Sequence, residues 1–343
     1  MLVSIIITCY NHEQYVAQAI DSALNQAYPT KEVIVVDDGS SDRSASIIAA
    51  YGNAIVAMFR SHAGQSSASN AGFARSRGDV VIYLDSDDYF LPGAVEFLAE
   101  PFKTNRAVVR SQGYLMCVDA HGVPSGARIP RRLSPSGDYR ASTLQQGPGV
   151  CRHPYTSGNA WARWFLEKIM PLPEREELAI DACLVAVSSL FGLTASIDAP
   201  IAAYRIHDRN CGPYGETFNR RSLRRLMNRV HFNQDYLARW AKHLGYQVRL
   251  DAWRARGDGW RYGVLRYSLS SLEGSRPRIT FKEFVLSPFT IGHTRRPKAL
   301  IVSALLAILW MLPRKPALGL SRLLLRLPKA PAAVTRAGTA GLN

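Results

Sequence analysis

The chain has little that would staple it or cradle a phosphate. Its 343 residues include five cysteines, Cys9, Cys117, Cys151, Cys183 and Cys211. They are odd in number, widely spaced and form no CxxC pair. That pattern argues against a disulfide framework and against a thiolate metal site, and it suits a reducing cytoplasm. No G-x-G-x-x-G follows the first apolar run, and no G-x-x-x-x-G-K-[ST] occurs anywhere. The two common backbone loops for phosphate are therefore missing. The opening "MLVSIIITCYN" lacks a positive leader and turns polar too soon for a signal peptide, so it reads as a first strand. Acid is scarce in one part only: residues 201–343 carry 26 Lys and Arg against 7 Asp and Glu, a net of +19. Residues 1–200 carry 16 against 20, a net of −4. The cationic part points to an anionic partner, membrane lipid or nucleic acid.

What is present is alternation. "VSIIITC" (Val3–Cys9), "EVIVVDD" (Glu32–Asp38), "AIVAMF" (Ala54–Phe59) and "VVIYL" (Val80–Leu84) are the continuous apolar runs of buried parallel strands. Helical patterns separate them: Gln14–Asn25, a short helix from an Asp42 cap to Ala50, and the small-residue stretch Ser66–Ser76. Strand–helix–strand alternation predicts an α/β fold with a parallel, doubly wound sheet.

Polar residues stop these runs at their C-terminal ends: Tyr10 and Asn11 after the first, Asp37 to Ser40 at the second, Asp85 to Asp88 at the fourth. The carboxyl ends of parallel strands line a ligand crevice, so clusters distant in sequence are expected to meet at one rim. Asp85, Asp87 and Asp88 fall within four positions and repel one another. They either form a solvated turn or hold a hard cation, Mg²⁺ or Mn²⁺, which would meet the phosphate charge that no loop meets.

These residues carry a resemblance. "VSIIITCYNHEQYVAQAIDSALNQAYPTKEVIVVDDGSSD" followed by "SNAGFARSRGDVVIYLDSDD" resembles the nucleotide-binding half of family 2 glycosyltransferases, which have the Rossmann-like GT-A fold. The likeness is dense from Val3 to about Pro92 and sparser to about residue 210. It implies an inverting transfer from a nucleoside diphosphate sugar, most readily a UDP-sugar, to an acceptor hydroxyl. Tyr10 would stack on the base, Asp38 would accept from its imide N–H, and Thr8 and Asn11 would flank the pocket. Asp85 and Asp87 resemble the DxD pair, Asp85 on ribose or sugar hydroxyls and Asp87 on the Mn²⁺ or Mg²⁺ that bridges the diphosphate. Asn70 lies in the segment that runs along the donor. Ser69 stands where the family usually has a basic residue, which leaves Arg75 or Arg77 to replace that contact. "YRIHDRN" (Tyr204–Asn210) resembles the family's Y-R-x-H motif, with His207 at the metal or diphosphate and Arg205 at the preceding loop or a phosphate. "PLPEREELAIDACLVAVSSLFG" (Pro171–Gly192) resembles the acceptor segment, with Asp181 as the catalytic base and Glu177, one helical turn earlier, as its rival.

The expected organisation is a catalytic domain over 1–212, divided into a nucleotide half (1–92) and an acceptor half (93–212). A basic helical extension (213–298), apolar or amphipathic helices (299–330) and a disordered tail (331–343) follow. "ALIVSALLAILWML" (Ala299–Leu312) is 14 residues long, about 21 Å of helix against a hydrocarbon core of ~30 Å. It is expected to lie in the headgroup layer of an anionic membrane on the cytoplasmic side, or to pack as a helix pair on the catalytic domain. A saccharide or lipid-linked saccharide acceptor follows from that location. Nucleic acid is not an expected partner, because few basic–aromatic modules resemble a nucleic-acid fold and the acidic rim would repel phosphate unless metal is present. Two other functions compete. A sugar nucleotidyltransferase needs a glycine-rich basic loop after the first strand, which "TCYNHEQY" does not supply. A non-enzymatic binder of anionic polymer would rest on the +19 segment alone.

Overall fold

The computed structural model describes residues 1–174, 180–207, 219–256, 260–273, 281–290, 296–312 and 314–326. Glu177, Cys211 and the tail 331–343 lie outside these. The chain divides into two units, Met1–Gly215 with Asn233–Val248, and Glu216–Phe232 with Arg249–Asn343.

The first unit opens with the elements read from the sequence: β1 (Val3–Cys9), α1 (Val16–Leu24), β2 (Lys31–Asp37), α2 (Ser44–Ala49), β3 (Val56–Phe59), α3 (Gln65–Arg75) and β4 (Val80–Asp85). The third strand differs from expectation: it starts at Val56, not Ala54, and as the edge strand it is not buried. It continues through β5 (Tyr89–Phe90), α4 (Ala94–Thr104), β6 (Val108–Val118), β7 (Pro124–Ile129), α5 (Arg140–Gln146), β8 (Asn159–Ala162), α6 (Arg163–Ile169), α7 (Ile180–Ser188) and β9 (Leu193–Arg205). The nine strands form one sheet in the order β3-β2-β1-β4-β8-β6-β9-β5, with β7 on β6. The four strands from β3 to β4 are all parallel. The alternation legible in sequence stops there, because β8 enters antiparallel between β4 and β6. The fold is α/β, a mainly parallel, Rossmann-like sheet flanked by helices and followed by a helical C-terminal region.

Register places the strand ends together. Thr8 of β1 lies beside Asp85 of β4, and Cys9 lies beside Asp37 of β2. Helix α3 turns Ser66, Ser67, Ala68, Ser69 and Gly72 inward. Small residues let it sit close to the sheet. A Cβ on Gly72 would stand 2.4 Å from Ile6 Cγ2 and 3.3 Å from Val36 Cγ2. That closeness sets where the N-terminal end of α3, with Gly64 and Gln65, meets the strand ends.

The second unit contains α9 (Leu250–Arg256), α10 (Trp260–Glu273), α11 (Phe281–Thr290), α12 (Arg296–Met311) and α13 (Arg314–Arg326). The helix before them, α8 (Arg220–His243), has residues in both units. Leu223, Met227, Tyr262 and Leu265 form one apolar cluster of this unit. Val264, Tyr267, Phe284, Val302, Leu306, Leu309, Ala317 and Leu324 form another. No helix among the described residues is long and apolar enough to cross a membrane.

Gly72→Ala is expected to destabilise the protein by about 1–3 kcal/mol, the usual cost of an added methyl in a packed layer. A urea titration followed by circular dichroism measures it. An unchanged midpoint would mean that α3 does not need this approach to the sheet.

Candidate active site

The site lies at the C-terminal ends of the parallel strands and is built from loops that brace one another. Asn11 follows β1 with a positive φ of 56°, a conformation asparagine tolerates. Its Oδ1 accepts from the Ser41 N–H at 2.7 Å and the Asp42 N–H at 3.4 Å, while its own N–H donates to Ser40 Oγ at 2.9 Å. Asn11 thus ties the loop after β1 to the loop after β2. Gly39 in that second loop has φ 78°, and a Cβ there would meet the His62 nitrogen at 2.6 Å. Asp38 next to it is buried. Its carboxylate accepts from the Gly64 N–H at 2.8 Å and the Ala63 N–H at 3.2 Å, and His62 Nδ1 lies 2.9 Å away. Tyr10 is exposed, and its ring stacks on His62 with centroids 3.9 Å apart. Thr8 stands at the base of this corner, level with Asp85.

The turn after β4 carries the three aspartates, each settled differently. Asp88 is buried, and its carboxylate accepts from Ser157 Oγ at 2.6 Å and from the Arg205 N–H at 3.0 Å. Burial and the charges of Asp87 and Asp85 push its carboxyl well above the ordinary range. Asp85 accepts from Gln65 Nε2 at 2.8 Å, and its N–H donates to Ser157 Oγ at 3.2 Å. Burial, with the charges of Asp87 and Asp181, pushes Asp85 up to about 8. Asp87 goes the other way. Burial opposes its ionisation, but the hydrogen bond from His207 and the charges of His12 and His207 outweigh burial and hold its carboxyl below the usual range. His207 Nε2 lies 3.0 Å from Asp87 Oδ2.

His12 completes this corner. Its Nδ1 lies 2.8 Å from Ser86 Oγ, and its ring meets that of His207 edge-on at 5.9 Å. One ligand atom from each of His12, Asp87 and His207 falls within 4.8 Å of the other two, a group that could hold a metal ion. Asp85 is not a member of it. Asp181, in the first turn of α7, is buried, and its Oδ1 accepts from the Ala182 N–H at 2.7 Å. It stands near enough for its charge to act on Asp85.

Arg205 holds a loop, one of its two expected roles, while Arg75, Arg77 and Asn70 have the following surroundings. Arg205 is buried and works on the aspartate turn: its Nε donates to the Asp87 carbonyl at 3.0 Å, its Nη1 to the Ala120 carbonyl at 2.9 Å, and its Nη2 to Gln18 Oε1. Its guanidinium also lies over the Tyr15 ring at 4.6 Å. Arg75 is exposed at the C-terminal end of α3. The helix runs away from the strand ends, and ten residues carry Arg75 about 15 Å along it from Gln65. Arg77 pairs with Glu32 at 3.2 Å, beside the start of β2. Asn70 exchanges hydrogen bonds with Leu172, its Nδ2 donating to the carbonyl at 2.9 Å and its Oδ1 accepting from the N–H at 2.8 Å. It fastens the segment before α7 to α3. Sequence reasoning passed over His12, His62, Gln65 and Ser157. Only His12 had a local signal, its position directly after Asn11 at a strand end.

The sequence profile of the family described as Glycosyl transferase family 2 matches residues 4–113. An uncharacterized glycosyltransferase of Nostoc sp. is 30% identical over 256 residues, which cover 73% of this chain and 79% of that one. Chondroitin synthase of Pasteurella multocida is 39% identical over 110 residues, 31% of this chain but 11% of that one. Residues 1–349 of TarS from S. aureus align with 95% of this chain and 90% of that chain at a TM-score of 0.52 and 16% identity, a likeness of fold.

Asp88→Ala leaves the buried donors of Ser157 and Arg205 without an acceptor. A loss of about 1–3 kcal/mol per unsatisfied group is expected. Chemical denaturation of both proteins reads it directly; equal midpoints would show that the turn holds without this carboxylate.

Proposed function

The chain belongs to the family 2 glycosyltransferases, and from that premise we propose that it moves a hexose from a UDP-sugar to an acceptor hydroxyl with inversion, in polysaccharide or cell-envelope biosynthesis. The observation that carries this reading is the meeting of His12, Asp87 and His207 within 4.8 Å, at the strand-end rim where Tyr10 is exposed and Asp181 stands near Asp85. Two imidazoles and a carboxylate make a mixed nitrogen and oxygen donor set. It fits Mn²⁺ better than Mg²⁺, which prefers oxygen ligands and keeps its waters. Asp87, His207 and His12 would hold the ion, with Asp85 beside them. When bound, the ion supplies positive charge to the diphosphate and eases its departure.

The chain's own residues do the rest. Tyr10 stacks on the base, and Asp38 accepts the imide N–H in place of His62. Thr8 and Asn11 shape the walls of this pocket, and Asp85 accepts from ribose or sugar hydroxyls. Arg205 positions the Asp85–Asp88 turn from beneath. Asp181 takes the proton from the acceptor hydroxyl as that oxygen attacks the anomeric carbon from the face opposite the diphosphate. One displacement inverts the centre, and no covalent nucleophile is required. The acceptor is a saccharide or a lipid-linked saccharide. The +19 charge of residues 201–343 supports peripheral attachment to the anionic cytoplasmic face of the cell membrane.

Asp87→Asn is expected to abolish both transfer and the Mn²⁺-induced rise in melting temperature, with the apo protein melting as the wild type does. A variant that still transfers sugar in the presence of a chelator would overturn the metal-dependent reading. Asp181→Asn should lower kcat by about 10²–10⁴-fold, the usual contribution of a positioned base, with donor affinity little changed. Glu177→Gln should be mild in the same transfer assay, and the reverse ranking would move the base to Glu177.

A further inference from the structure

We propose that α12 lies in the plane of an anionic phospholipid surface with a second apolar face turned into the headgroup layer. The inference rests on the peripheral attachment proposed above and names the face that makes it. Helix α12 is apolar on both sides. Val302, Leu306 and Leu309 are 3%, 0% and 0% exposed and pack with Phe284, Ala317 and Leu324. The Tyr267 hydroxyl donates to the Leu309 carbonyl at 3.2 Å and ties α10 to the same side. Leu300, Ile301, Ile308 and Met311 are 62%, 62%, 45% and 73% exposed. Ala304 between them is exposed as well.

Helix geometry sorts these residues into two stripes. At about 100° per residue, Leu300, Ala304, Ile308, Met311 and Ile301 fall within one sector about 100° wide. Val302, Leu306 and Leu309 fall within about 60° on the far side of the axis. The core of this unit thus uses one stripe and leaves the other in water, where an apolar patch of this length marks an interaction surface. The exposed stripe runs about 17 Å, too short to cross a hydrocarbon core and suited to lying along it.

Charge selects the occupant. "RRPK" ends at Lys298 and "PRK" runs from Pro313 to Lys315, so basic residues bracket the stripe in sequence. Arg322 of α13 is exposed next to Leu323, itself 61% exposed. An apolar stripe bracketed by cations matches a bilayer with acidic headgroups, to which basic residues add attraction while the apolar face enters the acyl boundary. A second copy of the chain would bring the same cations against one another.

Sedimentation of the full chain with vesicles of phosphatidylglycerol and phosphatidylcholine, against phosphatidylcholine alone, tests the assignment. The compared protein carries Leu300→Gln, Ile301→Gln, Ile308→Gln and Met311→Gln. The wild type is expected to bind the anionic vesicles and the variant to bind at least about tenfold more weakly, with the same melting curve and the same UDP binding. A separate Ile308→Trp protein should shift its fluorescence to the blue when anionic vesicles are added. Equal vesicle binding by wild type and variant would overturn the face assignment and leave attachment by charge standing. No vesicle binding by the wild type would overturn attachment and the face together, without touching UDP binding. A wild type that dimerises in solution, beside a monomeric variant, would make the stripe a self-association surface and overturn the proposal.

Discussion

Three carboxylates in one turn are the constraint on which this site depends. Two unit charges 4 Å apart at an effective dielectric of 20 interact by about 4 kcal/mol, so like charges crowded into one buried turn must be answered. The chain answers them one at a time. Asp88 is buried and receives Ser157 and the Arg205 backbone N–H. Asp85 receives Gln65 and is driven toward its neutral form. Asp87 alone faces imidazoles and is held ionised. Identical residues within four positions thus differ in how readily they ionise, and the difference lies in what other elements bring to them: α3 brings Gln65, the turn before β8 brings Ser157, and β9 leads to Arg205 and His207.

The same dependence on remote elements runs through the rest of the rim. Asn11 holds the loop after β2, Asp38 holds the backbone at the start of α3, and Asn70 holds the segment leading to α7. Each is a short polar side chain that satisfies backbone N–H or C=O groups which water would otherwise have to meet. The loops are therefore fixed relative to one another before any ligand arrives, which lowers the ordering cost of binding. His62 is part of this frame: it stacks on Tyr10 and pairs with Asp38, so two groups assigned to the base are already in contact with one protein ring.

Charge is divided along the chain in keeping with this. The rim carboxylates, which in the proposed function hold a cation against an anionic donor, sit in the first 200 residues. Most of the cations lie beyond them in the chain, and in the proposed arrangement they face acidic lipid. The apolar run at Ala299–Leu312 allowed two readings, a surface helix and a packed one. The packed reading had the helices on the catalytic domain; in α12 one stripe packs within its own unit, and the other is exposed.

The sequence by itself determined the strands, because a strand buried on both faces needs a near-continuous apolar run, and β1, β2 and β4 carry one in Ile5–Ile7, Val33–Val36 and Val80–Leu84. It also determined that polar clusters end those strands, and the motif order "TCYN", "VVDDGSSD", "LDSDD" identified the family. What it could not determine was anything set by direction or by pairing across long separations. Arg75 lies in a motif near the site in sequence, yet the direction of α3 carries it to the far end. Arg205 was open between a loop and a phosphate and Asn70 was placed along the donor, and only the packing shows Arg205 bonded to the Asp87 and Ala120 carbonyls and Asn70 bonded to Leu172. His12 is 75 positions from Asp87 and 195 from His207 in the chain, and no local pattern joins them. Only the tertiary structure decided that His12, Asp87 and His207 meet, because parallel strands bring their C-terminal ends to one rim, and sheet order, not sequence distance, chooses which side chains meet there.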